Sequence, residues 1–438
     1  MAEAALKVHL LALMREVLGQ VRTSGSRFQP GQGGTATFDQ ARDDEIIGLP
    51  SFAQAVTALE PLPQFLTAAA PSEAKRVILQ FTYDFLERQS SSDLDENAYE
   101  ETWSSFLDEL ERPEWTYLAI CYLENFTSDA DFLELGDGVT IYNRSSYQWT
   151  EMGWSRFQIE KLYENWHGSG LHVLVVEEKV PKSPDNLILM GTGHEVSKAS
   201  RMLRVLRLAK EGDVHIGGGT ALLGRVLTNR RAGSGFTDNP GAAMHGSIAR
   251  WPGAMYSLSA SDTSRVKELH SQLKTVEDMG EAAPYNLSLA LRSFNSSYDR
   301  IPAQNDMKLV DLITTAESLL GASVEISFRL SFYVAGILAG TDRERVTIFD
   351  EMRAFYDTRN RVVHGGTLES KHRTRLNNYP RLRDYVRRLL VGFLHLATAS
   401  EGGHNPKSFR KQLDSTLQDA QKRSELRAAM GLAADRQA

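Results

Sequence analysis

The residues best suited to chemistry lie in one short segment, Tyr356 to Gly366, near the C-terminal end of the sequence. Within it, Arg359, Asn360 and His364 form the pattern R-N-x-x-x-H. On a helix, Tyr356, Asn360 and His364 are spaced by four residues and project from one face, and the long side chain of Arg359 can reach round to them. The spacing therefore predicts that these polar side chains converge.

Their chemistry is complementary for cleavage of a phosphodiester. A histidine can exchange a proton near neutral pH, an arginine can hold a phosphate oxygen through two parallel N–H donors, and an amide can orient either group. RNA carries its own nucleophile, the 2′-hydroxyl, so its cleavage needs only proton transfer and stabilisation of charge at phosphorus. This combination predicts RNA cleavage without a metal ion or a cofactor.

The spacing alone is weak evidence, because the chain repeats it. Arg265 also stands five residues before a histidine, His270, but that copy lacks the amide and the Gly-Gly pair that follows His364. A second interpretation stays open on these residues alone: His364 would interact with the negative end of a helix dipole, beside an arginine in a surface ion pair.

Composition limits the classes of protein that fit. A chain of 438 residues is long enough for two or three domains, and 42% hydrophobic with 24% charged residues is typical of a globular protein. The net charge of -7 argues against nucleic-acid binding over the whole surface, so an RNA site must be local. Lysine and arginine outnumber the acidic residues between Glu351 and Arg427, whereas the first 115 residues are acid-rich.

The single cysteine, Cys121, excludes an intramolecular disulfide and multi-cysteine metal sites, and predicts a cytoplasmic protein. The longest apolar stretch, Leu319 to Ala339, contains Glu325 and Arg329 at a spacing of four. This pattern favours a buried helix with one polar strip over a membrane span. The other histidines, including His194 and His215, lack paired metal-ligand spacing, so no metal site is expected.

The sequence divides into four segments by composition. Residues 1–112 predict an acidic helical segment, which starts with an amphipathic helix and contains a mobile loop at Ser24 to Thr37. Residues 113–280 predict a mixed α/β region that senses or regulates, with strands at Trp115 to Leu123, Val139 to Asn143 and His172 to Val180. Residues 401–438 predict a charged helical tail that packs weakly or mediates contacts.

Two features of the α/β region could bind a ligand. The glycines Gly217 to Gly219 follow a short apolar run but lack the Lys-Ser/Thr ending of a phosphate-binding loop, so a turn or flexible loop is favoured. A helix at His194 to Lys210 has a basic residue at every third position from Lys198, and this spacing winds the charges around the helix. A solvated helix is the main interpretation, and an RNA or partner surface is the alternative.

The remaining region, residues 281–400, predicts an antiparallel bundle of five helices. Its first helix has Leu287, Leu291, Phe294 and Tyr298 on one face and ends before Pro302. The other four helices are expected at Met307–Leu320, with Asp306 as N-cap, at Ser323–Leu338, at Arg343–His364, with Asp342 as N-cap, and at Leu382–Ala399. The fold class expected for the whole chain is mainly α, with this bundle preceded by a mixed α/β region.

Four segments of the bundle resemble the HEPN family, and specifically its ApeA-like branch: Phe294–Tyr298, Leu312–Leu320, Glu325–Leu330 and Tyr356–Gly366. The resemblance spans Ala290 to Leu390. It implies a helical bundle that pairs with a second copy, so that two R-N-x-x-x-H motifs face each other across one composite RNA cleft. It also implies an anti-phage or toxin ribonuclease that cuts tRNA, mRNA or rRNA and leaves 2′,3′-cyclic phosphate ends.

Carried onto this sequence, the resemblance implies that Arg359 stabilises the scissile phosphate, Asn360 positions the phosphate or the histidine, and His364 transfers protons. Supporting roles are expected for Glu317, Tyr356 and Asp357, although a structural ion pair is an alternative for Glu317. A basic set is expected to hold the RNA backbone or to form a solvated loop: Arg361, Lys371, His372, Arg373 and Arg375.

Partners and an alternative function follow from the same resemblance. A homodimer is expected, with a phage-derived activator or a partner subunit acting through the N-terminal region, and without a membrane. The alternative is a non-catalytic HEPN module that dimerises and senses within a defence complex.

Overall fold

The computed structural model describes residues 2–23, 40–68, 74–89, 93–143, 172–181, 194–223, 230–231, 254–300, 304–321, 324–399 and 406–432. Within these ranges the chain is mainly helical, with a small sheet toward the N-terminal side. It divides into two compact units. The first comprises Met1–Glu124, Ala130–Ala199 and Ile216–Thr237, and the second comprises Asn125–Asp129, Ser200–His215 and Asp238–Ala438. Both units therefore draw on separate stretches of sequence, unlike the four consecutive segments expected.

The first unit begins with six helices: α1 Ala2–Thr23, α2 Gln40–Ile47, α3 Pro50–Leu59, α4 Pro63–Ala68, α5 Ala74–Arg88 and α6 Glu96–Glu111. Helix α1 buries Leu6, Leu10 and Leu13 and packs against α3, which confirms the predicted amphipathic helix. Phe81 and Phe106 join α5 to α6 through an edge-to-face contact with ring centroids 5.3 Å apart. The loop predicted at Ser24 to Thr37 lies outside the described residues.

The strands are β1 Glu114–Glu124, β2 Phe126–Ser128, β3 Phe132–Gly136, β4 Val139–Asn143, β5 His172–Pro181, β6 His215–Leu223, β7 Arg230–Arg231 and β8 Tyr256–Leu258. Six of them form a sheet in the order β3-β4-β5-β1-β6-β7, with antiparallel pairing from β3 to β1 and between β6 and β7. The three predicted strands are confirmed. The turn or loop predicted at Gly217 to Gly219 is wrong, because these glycines lie within β6, whose neighbours in the sheet are β1 and β7.

Helix α7, His194–Ala209, is where the basic repeat lies, as predicted. Its charges bind the protein's own carboxylates. Arg201 and Arg204 both contact Glu277 at 2.5 Å, and Arg207 is buried and lies 3.4 Å from Asp299. Two more pairs join Lys198 to Glu178 at 3.2 Å and Lys210 to Asp262 at 2.9 Å. These pairs weaken the interpretation as an RNA-binding surface, and the burial of Arg207 departs from a simple solvated helix.

The second unit is a helical bundle in which β2 and β8 pair in parallel. Its helices are α8 Thr263–Asp278, α9 Leu287–Asp299, α10 Asn305–Leu320, α11 Ile326–Leu338, α12 Asp342–Val363, α13 Ser370–Asn377, α14 Tyr379–Thr398, α15 Pro406–Gln418 and α16 Ala420–Ala429. Helix α14 packs against α8, α9, α10, α11 and α16, so it forms the centre of the bundle. None of the helices in the described ranges combines the length and the apolar character needed to cross a lipid bilayer.

The five predicted bundle helices are present, with four local differences. Asp306, predicted as the N-cap of α10, lies within its first turn, and Gln304 occupies the N-cap position without a side-chain bond. Thr341, rather than Asp342, caps α12 through a bond from the Glu344 N–H. The apolar stretch from Leu319 to Ala339 is broken, because Gly321 and Glu325 both adopt left-handed backbone conformations between α10 and α11. Helix α13, Ser370–Asn377, lies where one interpretation of the sequence predicts a solvated basic loop.

The C-terminal helices pack tightly, contrary to expectation. Leu413, Leu417 and Met430 are buried in the bundle. Glycines on α11 and α14 allow this close approach. A Cβ at Gly336 would lie 3.1 Å from Leu417, and one at Gly392 would lie 2.7 Å from the Met430 side chain. Residues 406–432 are therefore part of the core of the second unit.

Candidate active site

Helix α12 carries the R-N-x-x-x-H motif in its last turns. Its end is a Schellman motif: the Gly366 N–H donates to the Arg361 carbonyl at 2.8 Å and the Gly365 N–H to the Val362 carbonyl at 3.3 Å. Gly365 has φ of 67°, a conformation that favours glycine. The predicted Gly-Gly stop is confirmed, and it places His364 as the last residue before the chain turns away.

Arg359 lies at the centre of a polar cluster. Its guanidinium donates to the Asn360 side-chain oxygen at 3.2 Å and lies 3.5 Å from the Glu317 carboxylate of α10. It also lies 5.8 Å from the centre of the Tyr356 ring. The Arg359 side chain is 22% exposed, so solvent reaches it while its neighbours limit its rotamers. Glu317 therefore does contact the arginine, as an ion pair that orients it.

Tyr356 joins this cluster through its hydroxyl. Burial, followed by the negative charge of Glu317, raises the pKa of this hydroxyl, while Arg359 opposes the shift. The Tyr356 hydroxyl forms a hydrogen bond with Glu317 and remains protonated near neutral pH. Tyr356 and Arg359 thus share one carboxylate, which links α10 to the end of α12.

His364 is exposed at the end of α12. Within the part of the chain that the structure describes, its imidazole makes neither a hydrogen bond nor an ion pair. The structure therefore brings together Arg359, Asn360, Glu317 and Tyr356 but leaves His364 outside this cluster, one turn of helix away. An exposed imidazole at this position is available to a substrate that reaches Arg359.

The basic residues after the motif lie largely on α13, and one of them is not exposed. His372 has no accessible side-chain surface; its Nδ1 lies 3.2 Å from the Thr358 hydroxyl and 3.8 Å from Asp357. The predicted contact of His372 with RNA is therefore wrong, because this ring packs α13 onto α12. Asp357 faces α13 as well, since Arg375 lies 3.7 Å from it.

Three other basic residues keep solvent access, but a carboxylate neutralises two of them. Lys371 lies 3.1 Å and Arg361 3.5 Å from Glu369. The hydrogen bond with Lys371 and its positive charge lower the pKa of Glu369. Arg373 is exposed and donates to the Leu368 carbonyl at 3.3 Å. The sequence analysis does not identify Glu369 as the partner of these two cations. Its position between Arg361 and Lys371 in the sequence is the signal that could have indicated this role.

The second arginine–histidine pair in the sequence differs in environment. Arg265 and His270 lie on α8, and His270 is buried on the face that also buries Val266, Leu269 and Leu273. The pair has the spacing of the motif without an exposed histidine. This contrast supports the importance of the setting of His364.

Comparison of the chain with protein-family models, with curated proteins and with solved structures gave no match. Among the described residues, no group of three or more His, Cys, Asp or Glu side chains is placed to hold a metal ion.

Proposed function

We propose that this protein is a metal-independent RNA endonuclease of the HEPN type whose site is formed by Arg359, Asn360 and His364. The observation that carries the proposal is that Glu317 and Asn360 hold Arg359 about one turn of α12 before the exposed imidazole of His364. Arg359 is held but still accessible, as a group that binds a phosphate oxygen must be.

The chemistry requires no group beyond these side chains and RNA. The 2′-oxygen attacks phosphorus while its proton passes to a base, the bond to the 5′-oxygen breaks, and that oxygen takes up a proton. The products are a 2′,3′-cyclic phosphate and a 5′-hydroxyl. His364 acts in proton transfer, Arg359 stabilises the charge on the phosphorane, and Asn360 orients the arginine.

A second copy would complete the site. Val346 and His364 are 18 residues apart on α12, which is five full turns, so they share one face of the helix. Val346, Phe328 and Val363 are exposed by 61%, 50% and 50%. Phe328 also contacts Phe349 with ring centroids 5.5 Å apart. This apolar strip, formed by Val346, Phe328, Phe349 and Val363, supports pairing through α12, which would bring two copies of His364 into one cleft.

The biological role rests on the family resemblance. We propose a cytoplasmic anti-phage effector or toxin that cuts tRNA, mRNA or rRNA after a phage component or partner subunit activates it. Of the predicted RNA-binding set, Arg361, Lys371, Arg373 and Arg375 stay in the proposal, with Arg373 as the strongest candidate because no carboxylate pairs with it among the described residues.

The experiment compares purified wild type with His364→Ala and Arg359→Ala on total RNA and on a labelled oligonucleotide. The control is Arg343→Ala, an exposed arginine at the other end of the same helix. We expect each site variant to lose cleavage by about 10²- to 10⁴-fold and the control to keep it, with products whose 3′ ends carry cyclic phosphate. Cleavage should persist in EDTA.

Phage challenge of cells that express the protein provides the activated condition. Cell growth and RNA integrity are then measured for wild type and variants. Intact RNA in the wild type under every challenge that triggers defence would favour the alternative, a non-catalytic module that dimerises and senses. Equal cleavage by His364→Ala would remove His364 from the mechanism, and loss of cleavage in EDTA would contradict the metal-free step.

A further inference from the structure

The second unit contains a polar cavity that the candidate active site does not use. Its volume is about 550 Å³, which lies within the range of small-molecule sites. Its walls come from the segment before β6 and from α9, α10 and the start of α14. Lys308 and Glu317 are nine residues apart on α10, about 13 Å along the helix axis, so this cavity is separate from the Arg359 cluster.

Lys308 is the most unusual residue of the cavity. Its side chain is buried, with 6% exposure. Within the described ranges no carboxylate lies at ion-pair distance from its ammonium group, which is 3.4 Å from the Tyr379 hydroxyl and 4.9 Å from the centre of that ring. A buried ammonium without a carboxylate carries a desolvation cost, and a protein retains such a group most readily where an anion binds.

None of the neighbouring charges among the described residues forms an ion pair with Lys308. Arg383 also lines the cavity, but it is an added positive charge whose partner is Asp213. The Arg383 Nε is buried and has no acceptor among the described residues. Burial and then the charge of Arg383 lower the pKa of Lys308 to about 8, with Asp213 opposing the shift. His215 is neutral, because burial and then Arg207 lower its pKa.

Charge and helix ends together favour an anion in this cavity. Four cationic side chains line it, against three carboxyl groups: Arg300, Lys308, Arg383 and Arg387, against Glu211, Asp213 and Asp384. Ion pairs neutralise three of these cations, Arg300 with Asp311, Arg383 with Asp213 and Arg387 with Asp384, so Lys308 is the cation with which an added anion would pair. Partial desolvation and then the charge of Asp384 raise the pKa of Glu211. The first turns of α10 and α14 also line the wall, and helix N-termini favour anions.

We propose that this cavity binds a small phosphate monoester with a hydroxyl-rich organic part, that is, a sugar phosphate. The volume exceeds that of a bare phosphate ion, and Asn305 and Asn377 supply amide groups for hydroxyls. The tyrosine rings that line it are poorly placed to stack on a nucleobase, because Tyr298 and Tyr379 are buried and cationic groups already lie over them. Arg383 lies 4.0 Å from the centre of the Tyr298 ring and 4.9 Å from that of Tyr379, and Lys308 and Arg207 contact these rings as well. Lys308 holds the phosphoryl group as a point charge.

The test is isothermal titration calorimetry of the full-length protein with ribose 5-phosphate, inorganic phosphate, AMP and unphosphorylated ribose. We expect ribose 5-phosphate to bind, inorganic phosphate to bind more weakly, and ribose to give no heat. Lys308→Met should weaken binding by about 10- to 100-fold, and Lys422→Met, an exposed lysine on α16, should not. Binding of AMP in preference to ribose 5-phosphate would overturn the sugar-phosphate assignment, and equal affinity of wild type and Lys308→Met would overturn the site.

The pH dependence of the affinity of the wild type for ribose 5-phosphate tests the site even if Lys308→Met fails to fold. The phosphoryl group is dianionic above pH 7, so its own charge does not change there. We expect about a tenfold weaker affinity at pH 9 than at pH 7, because Lys308 loses its proton near pH 8. Absence of binding by all four probes, or an affinity independent of pH over this range, would refute the proposal.

Discussion

The ion pair of Arg383 with Asp213 permits the sharpest test of the structure, through the substitution Asp213→Asn. Arg383 is 6% exposed and lies at the centre of the second unit on α14. Besides pairing with Asp213, the Arg383 guanidinium donates a hydrogen bond to the Ser297 carbonyl at 3.3 Å and lies over the rings of Tyr298 and Tyr379. Asparagine keeps the shape of the aspartate and one acceptor oxygen but removes the negative charge.

The expected cost follows from the charge that remains. Removing one partner of a buried ion pair costs about 3–5 kcal/mol, because the other charge stays desolvated without compensation. Since asparagine still accepts a hydrogen bond and two rings contact the guanidinium, we expect the lower end, about 3 kcal/mol in the free energy of unfolding. This corresponds to roughly a 150-fold change in the unfolding equilibrium.

The assay is urea denaturation followed by circular dichroism, with Asp342→Asn as control. Asp342 pairs with Arg345 and its side chain is 84% exposed, so its loss should cost less than about 1 kcal/mol. The double variant Asp213→Leu with Arg383→Met should recover more than half of the loss, because neither charge of this pair remains buried without its partner. A cost for Asp213→Asn no larger than that of the control would refute the burial of this pair.

Three further predictions address other parts of the second unit. Leu413→Ala should lower the free energy of unfolding by about 2–5 kcal/mol in urea denaturation, because Leu413 is fully buried, and a change below 1 kcal/mol would contradict the packing of α15. The folded-state pKa of Lys308, about 8, lies below its ordinary value of 10.5, so the unfolded chain binds more protons between these values. Wild type should therefore gain stability relative to Lys308→Met by on the order of 1 kcal/mol per pH unit from pH 8 to pH 10, and a constant difference would show that this lysine is not desolvated. Glu317→Gln should reduce the proposed RNA cleavage by about 10- to 100-fold, because Arg359 loses the carboxylate that orients it. Steady-state kinetics should show this loss in kcat rather than in KM. An unchanged kcat would leave Glu317 with a structural role alone.

Much of the bundle could be predicted because its signals are local. The apolar face of α9 and the glycine stop after His364 depend on residues within a few turns of each other, and both are present in the structure. The C-terminal helices carried a similar signal, since Phe409, Leu413 and Leu417 are spaced by four. Their low overall content of large apolar residues suggested weak packing, and composition proved less informative than spacing.

The rest depends on contacts between distant residues. The burial of His372 follows from the packing of α13 on α12, and no pattern in the basic segment distinguishes this ring from its exposed neighbours. The cavity likewise joins Asp213, Lys308 and Arg383, which are separated by many residues in sequence. Only tertiary structure brings such charges together, so a local motif could predict Arg359, Asn360 and Tyr356 but not this cavity.

The packing of α15 and α16 determines when the second unit can finish folding during its synthesis. Gly336 of α11 packs against Leu417 and Gly392 of α14 packs against Met430, so this part of the core stays incomplete until both side chains have been synthesised. At about 5–20 residues per second, the ribosome needs roughly 5–20 s to proceed from the end of α11 to residue 432. During this interval the nascent chain exposes an unfinished apolar surface on α11. Complete folding of the proposed ribonuclease is therefore delayed until translation has passed beyond the whole bundle.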